Sequence, residues 1–232
     1  MLGIVVQLAV SWLIIWFFEK GNLIVLGFSP SRQRLLDFVL FFLIAAACCA
    51  TGFFMKMYFA GQQWELNPHL TFNMVLNGIW WNIKSVLFEE LIFRGVLFYI
   101  LIKKLGAVKA IIISAAAFGI YHWFSFEITG HILQMAIVFL ITGAMGLVYA
   151  YGYSKTFSLY IPCAIHLGWN LTQGFIFSSG SIDDQVLVPV KPVPAIHVSY
   201  FIFFCIQLLP VVSVMLISFL LLKRRKQAEY SK

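Results

Sequence analysis

Seven apolar stretches follow one another along the chain, at about 2–18, 35–59, 72–103, 106–126, 131–153, 157–178 and 197–222. Each is roughly 20 residues or more, the length at which a helix crosses the hydrocarbon core of a bilayer. Lipid offers the backbone no hydrogen-bond partner, so a spanning segment must satisfy its own amides. The expected fold is therefore all-α: a polytopic membrane helical bundle of about seven transmembrane helices, forming one domain over residues 1–232. A mean hydropathy of +0.93, with 62% hydrophobic and only 11% charged residues, excludes a soluble domain. The third stretch is over-long, which implies tilt, protrusion or a break. Nothing basic precedes the first stretch and no small-residue cleavage site follows it, so it reads as a retained span and not a signal peptide.

The net charge of +7 would suit a nucleic-acid partner if it formed one face, but the basic residues sit at the ends of the apolar runs. Lys20, Arg32, Arg34, Lys103, Lys104, Lys109, Lys155 and the group Lys223, Arg224, Arg225, Lys226 and Lys232 fall in alternate connections, whereas the opposite connections hold only Lys191. The positive-inside rule makes the first set cytoplasmic, with the amino terminus outside and the carboxyl terminus inside a cell membrane. Lys56, near a helix end, is expected to snorkel. The turn-rich loop 179–196 is the longest non-cytoplasmic connection. Cys48, Cys49, Cys163 and Cys205 all lie within apolar runs and show no metal or disulfide spacing.

Inside the third stretch, Glu89, Glu90 and Arg94 put three ionisable groups within six residues. Each costs roughly 2.5–3.5 kcal/mol at bilayer depth on insertion scales, so they need partners or a function. Glu90 and Arg94 are i,i+4 neighbours on one helix face and can pair. Glu89 points about 100° away from Glu90, which leaves it as the candidate reactive carboxylate. With Asn82 and Ser85 it forms an i, i+3, i+7 stripe that would line a polar cavity.

Two later stretches carry histidines at depth, His122 four residues after Phe118, and His166 four residues before Asn170. Counting from the cytoplasmic ends at ~1.5 Å per residue puts Glu89 at about 22 Å, His122 at about 24 Å, His166 at about 15 Å and Asn170 at about 21 Å. They are expected to share one layer. Trp80, Trp81, Trp123 and Trp169 read first as interfacial anchors, and His69, His131 and His197 as interfacial residues at segment ends.

Glu89-Glu90-x-x-x-Arg94, Phe118-x-x-x-His122 and His166-x-x-x-Asn170, in this order and in separate apolar segments, resemble the motifs of the CPBP family. That family holds type II CAAX prenyl endopeptidases and bacteriocin-processing and immunity (Abi) proteins. The resemblance covers about residues 72–178, a four-helix catalytic core. It implies a hydrolase, an intramembrane endopeptidase, in which Glu89 and His122 activate a water while His166 and Asn170 stabilise the oxyanion. Glu90 and Arg94 belong to the same motif set. A carboxylate in low dielectric is a competent general base, and His and Asn can donate to developing charge. Glu89, His122 and His166 are also a three-ligand set for zinc, with a fourth position for water, as the metalloprotease label in the family implies. Both chemistries stay open at this point. The implied partners are the lipid bilayer and a peptide or membrane-protein substrate, with a leader peptide in a prokaryotic cytoplasmic membrane favoured over a prenylated tail. Two other readings stand beside the enzyme: a non-catalytic scaffold or immunity protein, and a transporter or proton relay. The relay is disfavoured by the lack of an inverted repeat.

Overall fold

A computed structural model describes residues 2–177, 185–191, 193, 195 and 197–225. Much of the loop 179–196, together with Lys226 and Lys232, lies outside the described residues. The elements are α1 (Leu2–Glu19), α2 (Arg32–Ala60), β1 (Trp64–Leu66), α3 (Phe72–Arg94), α4 (Val96–Leu105), α5 (Ala107–Ser125), α6 (Ile132–Thr156), α7 (Tyr160–Asn170), β2 (Leu187–Pro189) and α8 (Tyr200–Lys223). A 3₁₀ turn at Leu23–Leu26 follows α1, and a π-helical turn at Leu171–Ile176 continues α7. The starts of α2, α3 and α8 are set by side-chain caps: Ser31, Thr71 and Ser199 accept from the backbone N–H of Arg34, Met74 and Ile202, replacing a missing intrahelical partner.

The bundle is apolar on its outside and buries its few membrane-depth polar groups in an otherwise apolar interior. Leu36, Leu140 and Leu216 are more than half exposed, while Asp37, Asn82, Glu90, Arg94, His122 and His166 are buried. Burying those polar groups away from the apolar outer face is what a lipid solvent demands. Among the described residues, α1, α2, α5, α6 and α8 are long and apolar enough to cross a membrane. The other two expected spans differ from unbroken helices. The stretch 72–103 carries Lys84, Glu89, Glu90 and Arg94 and breaks at Gly95 into α3 and α4; the stretch 157–178 has only 11 α-helical residues before its π turn. At Gly95 a Cβ would stand 2.1 Å from the Leu91 carbonyl oxygen, so only glycine permits the turn that follows Arg94.

The basic connections gather at one end of the bundle. Lys103 pairs with Glu19, Arg225 holds Asp37 through two hydrogen bonds, and Ser158 Oγ donates to the Gly27 carbonyl at 3.1 Å. At the opposite end β1 and β2 pair antiparallel, Trp64 opposite Pro189. Asn67 Nδ2 donates to the Gln185 carbonyl at 2.9 Å beside them. This short pair was not legible in the helical pattern. In the middle α7 presses on α2 so closely that a Cβ on Gly168 would lie 2.4 Å from the Phe42 carbonyl oxygen. That backbone contact fixes the height and rotation of α7, and with them His166 and Asn170.

Candidate active site

Arg94 ends α3 and is completely buried. Its Nη1 donates to Glu90 Oε1 at 3.2 Å and its Nη2 to the Gly146 carbonyl on α6 at 3.0 Å. The guanidinium also lies over the rings of Phe118, at 4.4 Å, and Tyr149, at 5.1 Å. Room for it comes from α6: a Cβ on Gly146 would already stand 3.1 Å from Nη2. A charge without water is thus met by a carboxylate, a carbonyl and aromatic faces.

The expected Glu90–Arg94 pair is present, and Glu90 has a second partner. His166 Nδ1 lies 2.7 Å from Glu90 Oε1. The carboxylate can only accept, so Nδ1–H is the donor and Nε2 is left facing away from Glu90. Nε2 points at Glu89, 3.8 Å from Oε2. Tyr149 stacks on the imidazole, with ring centroids 5.0 Å apart and 17° between planes, and Phe118 meets it edge-on at 5.7 Å. The ring is therefore held by α3, α5 and α6 while its backbone is held by α7 against α2.

Glu89 lies on the same wall of a cavity as Asn82 and Ser85, the stripe expected from the sequence. Ser85 Oγ is 3.5 Å from its Oε1, and its Oε2 is buried with no hydrogen-bond partner in the structure. On α5, His122 donates from Nδ1 to the Phe118 carbonyl at 2.8 Å, which leaves Nε2 as the free lone pair of a neutral ring. The Phe118 ring separates the two imidazoles and touches both, with a centroid 4.5 Å from that of His122.

The structure thus brings Glu90, Arg94 and His166 into one hydrogen-bonded unit, sets Glu89 beside it, and lines one cavity of about 1020 Å³ with Glu89, His122, His166 and Asn170. A second cavity of about 630 Å³, walled by α2, α5, α6 and α8, shares His122, His166 and Asn170 with the first but not Glu89. Trp169 and Trp123 spend their indole N–H groups on Gln173 and the Met135 carbonyl, as helix-fixing residues do. His69, His131 and His197 take no part in either cavity. Tyr149 and Gly146 are the residues that the sequence did not single out. The only signal for them is the succession Gly143, Gly146, Ala150 along α6, a small-residue face that lets a neighbour approach.

Residues 63–172 match the family model described as type II CAAX prenyl endopeptidase Rce1-like. Over this region the chain is similar to the CPBP/CAAX protease family. The match spans all three motifs and supports a CAAX-type intramembrane protease in general. No curated protein and no solved structure matches the chain.

Glu89 Oε2, His122 Nε2 and His166 Nε2 are three free acceptors, and each histidine donates its other N–H to a carbonyl or carboxylate, as metal-bound histidines do. Among the described residues, however, no three His, Cys, Asp or Glu side chains stand close enough together to hold a metal ion. As arranged, the set does not fit zinc.

Proposed function

We propose that this chain is an endopeptidase that hydrolyses a peptide bond of a membrane-associated substrate in the cavity lined by Glu89, His122, His166 and Asn170. The observation that carries the reading is the orphaned carboxylate oxygen of Glu89, facing His166 Nε2 at 3.8 Å inside a polar cavity within an otherwise apolar bundle. A buried acceptor without a partner is costly, and water that it activates is the partner it lacks.

In the proposed sequence a water lies between Glu89 and His122 Nε2. Glu89 takes one proton as the oxygen attacks the substrate carbonyl, forming a tetrahedral intermediate. Its oxyanion accepts from the Asn170 carboxamide and from His166 Nε2 when that ring is protonated, an imidazolium flanked by Glu89 on one nitrogen and Glu90 on the other. Glu89 then returns its proton to the leaving amine as the C–N bond breaks. Glu90 and Arg94 do not touch substrate; they hold the ring of His166.

The cavity lies toward the end opposite the basic connections, lined by Asn77 and Trp80 near the start of α3, Ser125 at the end of α5, and Gln173 and Phe177 after α7. Under the positive-inside orientation it is reached from the non-cytoplasmic side, which favours an exported leader or membrane peptide over a prenylated cytosolic tail. Replacing Glu89 by Gln tests the catalytic assignment. The variant should keep the parent melting temperature, since Ser85 at 3.5 Å is its hydroxyl contact, and cleave a reporter peptide about 10²–10⁴-fold more slowly. Cleavage near the parent rate would end it.

A further inference from the structure

Both cavities share one cation. Lys56, one turn from the end of α2, lines the polar cavity and the apolar one, together with Phe53, His122, Phe126, His166, Asn170 and Gln173. It lies outside the family-matched region and in none of the three motifs. Its ammonium sits 4.9 Å over the Phe53 ring, and among the described residues it has no carboxylate partner and no hydrogen bond. Among the described residues the only carboxylate lining the cavities is Glu89, which faces His166 and Ser85 instead.

Gln173 supplies a second donor. The Trp169 indole N–H donates to its Oε1, which fixes the carboxamide and leaves its two N–H groups unspent. Gln173 stands in the π-helical turn directly after α7, whose wider winding carries it round to the same cavities as Asn170. Lys56 and Gln173 therefore both line space that a substrate occupies in the proposed reaction, and among the described residues neither the ammonium nor the carboxamide N–H₂ has a protein acceptor. A helix-end lysine that only snorkels needs no such companion.

We infer that Lys56 and Gln173 form a receptor for a carboxylate of the peptide substrate, set beside the hydrolytic groups and selecting which bond is presented to them. The inference rests on the peptidase reading of the same site. The carboxylate is either the substrate's own carboxyl terminus or an Asp or Glu side chain near the cut. Lys84, the other lysine lining the polar cavity, does not reach the apolar one, so it is not placed to bridge the two as Lys56 is.

The test uses full-length protein in detergent and a Leu/Ala-rich peptide with an amino-terminal fluorophore, made as the free acid, as the carboxyl-terminal amide, and as the amide with one Asp near its end. Binding is read by anisotropy. The parent should bind the free acid at least about tenfold more tightly than the amide, the factor that one charge-assisted contact of ~1.4 kcal/mol supplies. Lys56→Met and Gln173→Leu should abolish or reduce that preference and leave amide binding unchanged, while Lys56→Arg should retain it. Recovery of affinity by the Asp-bearing amide assigns the site to a side-chain carboxylate; its absence assigns it to the terminus. Equal binding of acid and amide by the parent, binding of neither, or a preference that survives in Lys56→Met overturns the inference. Cleavage is scored separately: a parent that prefers the acid in binding but cuts no peptide defeats the peptidase reading and leaves the receptor standing.

Discussion

Replacing Glu90 by Gln removes one charge from the most buried part of the bundle and nearly no volume. Glu90 Oε1 receives both Arg94 Nη1, at 3.2 Å, and His166 Nδ1, at 2.7 Å, whereas its Oε2 has no partner. A glutamine oxygen can keep the two bonds, but its N–H₂ then takes the place of the unpartnered oxygen and Arg94 loses its counter-charge. Arg94 is completely buried, with only the Gly146 carbonyl and aromatic faces left to it. Breaking a buried pair in this way costs on the order of 3–5 kcal/mol, which for a chain of this size lowers the melting temperature by about 6–20 °C. Replacing Arg94 by Gln as well should return part of that loss, because the uncompensated charge is gone. Activity should fall about 10–100-fold in the single variant even where it is folded, since His166 loses the anion that orients it. Differential scanning fluorimetry in detergent and reporter-peptide cleavage, on Glu90→Gln, Arg94→Gln and the double variant, measure both effects. A Glu90→Gln variant as stable as the parent, or a double variant no more stable than Glu90→Gln alone, would refute the reasoning.

Asn170→Ala should leave stability near the parent's and lower the rate by about 10²–10³-fold, as loss of an oxyanion donor does; an unchanged rate in steady-state cleavage removes it from the mechanism. Single cysteines at Leu66 and Lys104, in a background without the four native ones, should react with membrane-impermeant maleimide in intact cells at Leu66 only, and labelling at Lys104 would reverse the orientation. Treatment with a chelator, followed by metal analysis, should leave cleavage unchanged, because the donors of Glu89, His122 and His166 are not drawn together to metal-binding spacing. Reversible loss of activity, with one equivalent of zinc that His122→Ala no longer retains, would instead establish a metal centre.

Much of the helical layout was legible from one dimension. Run length and hydropathy alone place most of the helices within a few residues of their observed ends, because a spanning backbone has no other way to satisfy itself. Helical spacing likewise put Asn82, Ser85 and Glu89 on one wall and Glu90 with Arg94, since those relations lie within a single helix. The excess length of the third stretch announced the break that Gly95 makes. Relations between helices were not legible. The bond from His166 to Glu90, the stacking of Tyr149 on His166 and the carbonyl that Gly146 offers to Arg94 all depend on the rotation of one helix against another. In water an amphipathic stripe reports that rotation; in a bilayer the outer face of each helix and most of its inner face are equally apolar, so the pattern carries almost no rotational signal. Rotation here is decided by close approach at Gly168 and Gly146 and by the need to pair buried charge. The π turn that brings Gln173 to the cavities is likewise a product of packing, for nothing in Leu171–Ile176 distinguishes it from a further turn of α7. The sequence by itself determined which groups sit at membrane depth; only the tertiary structure decided which of them touch.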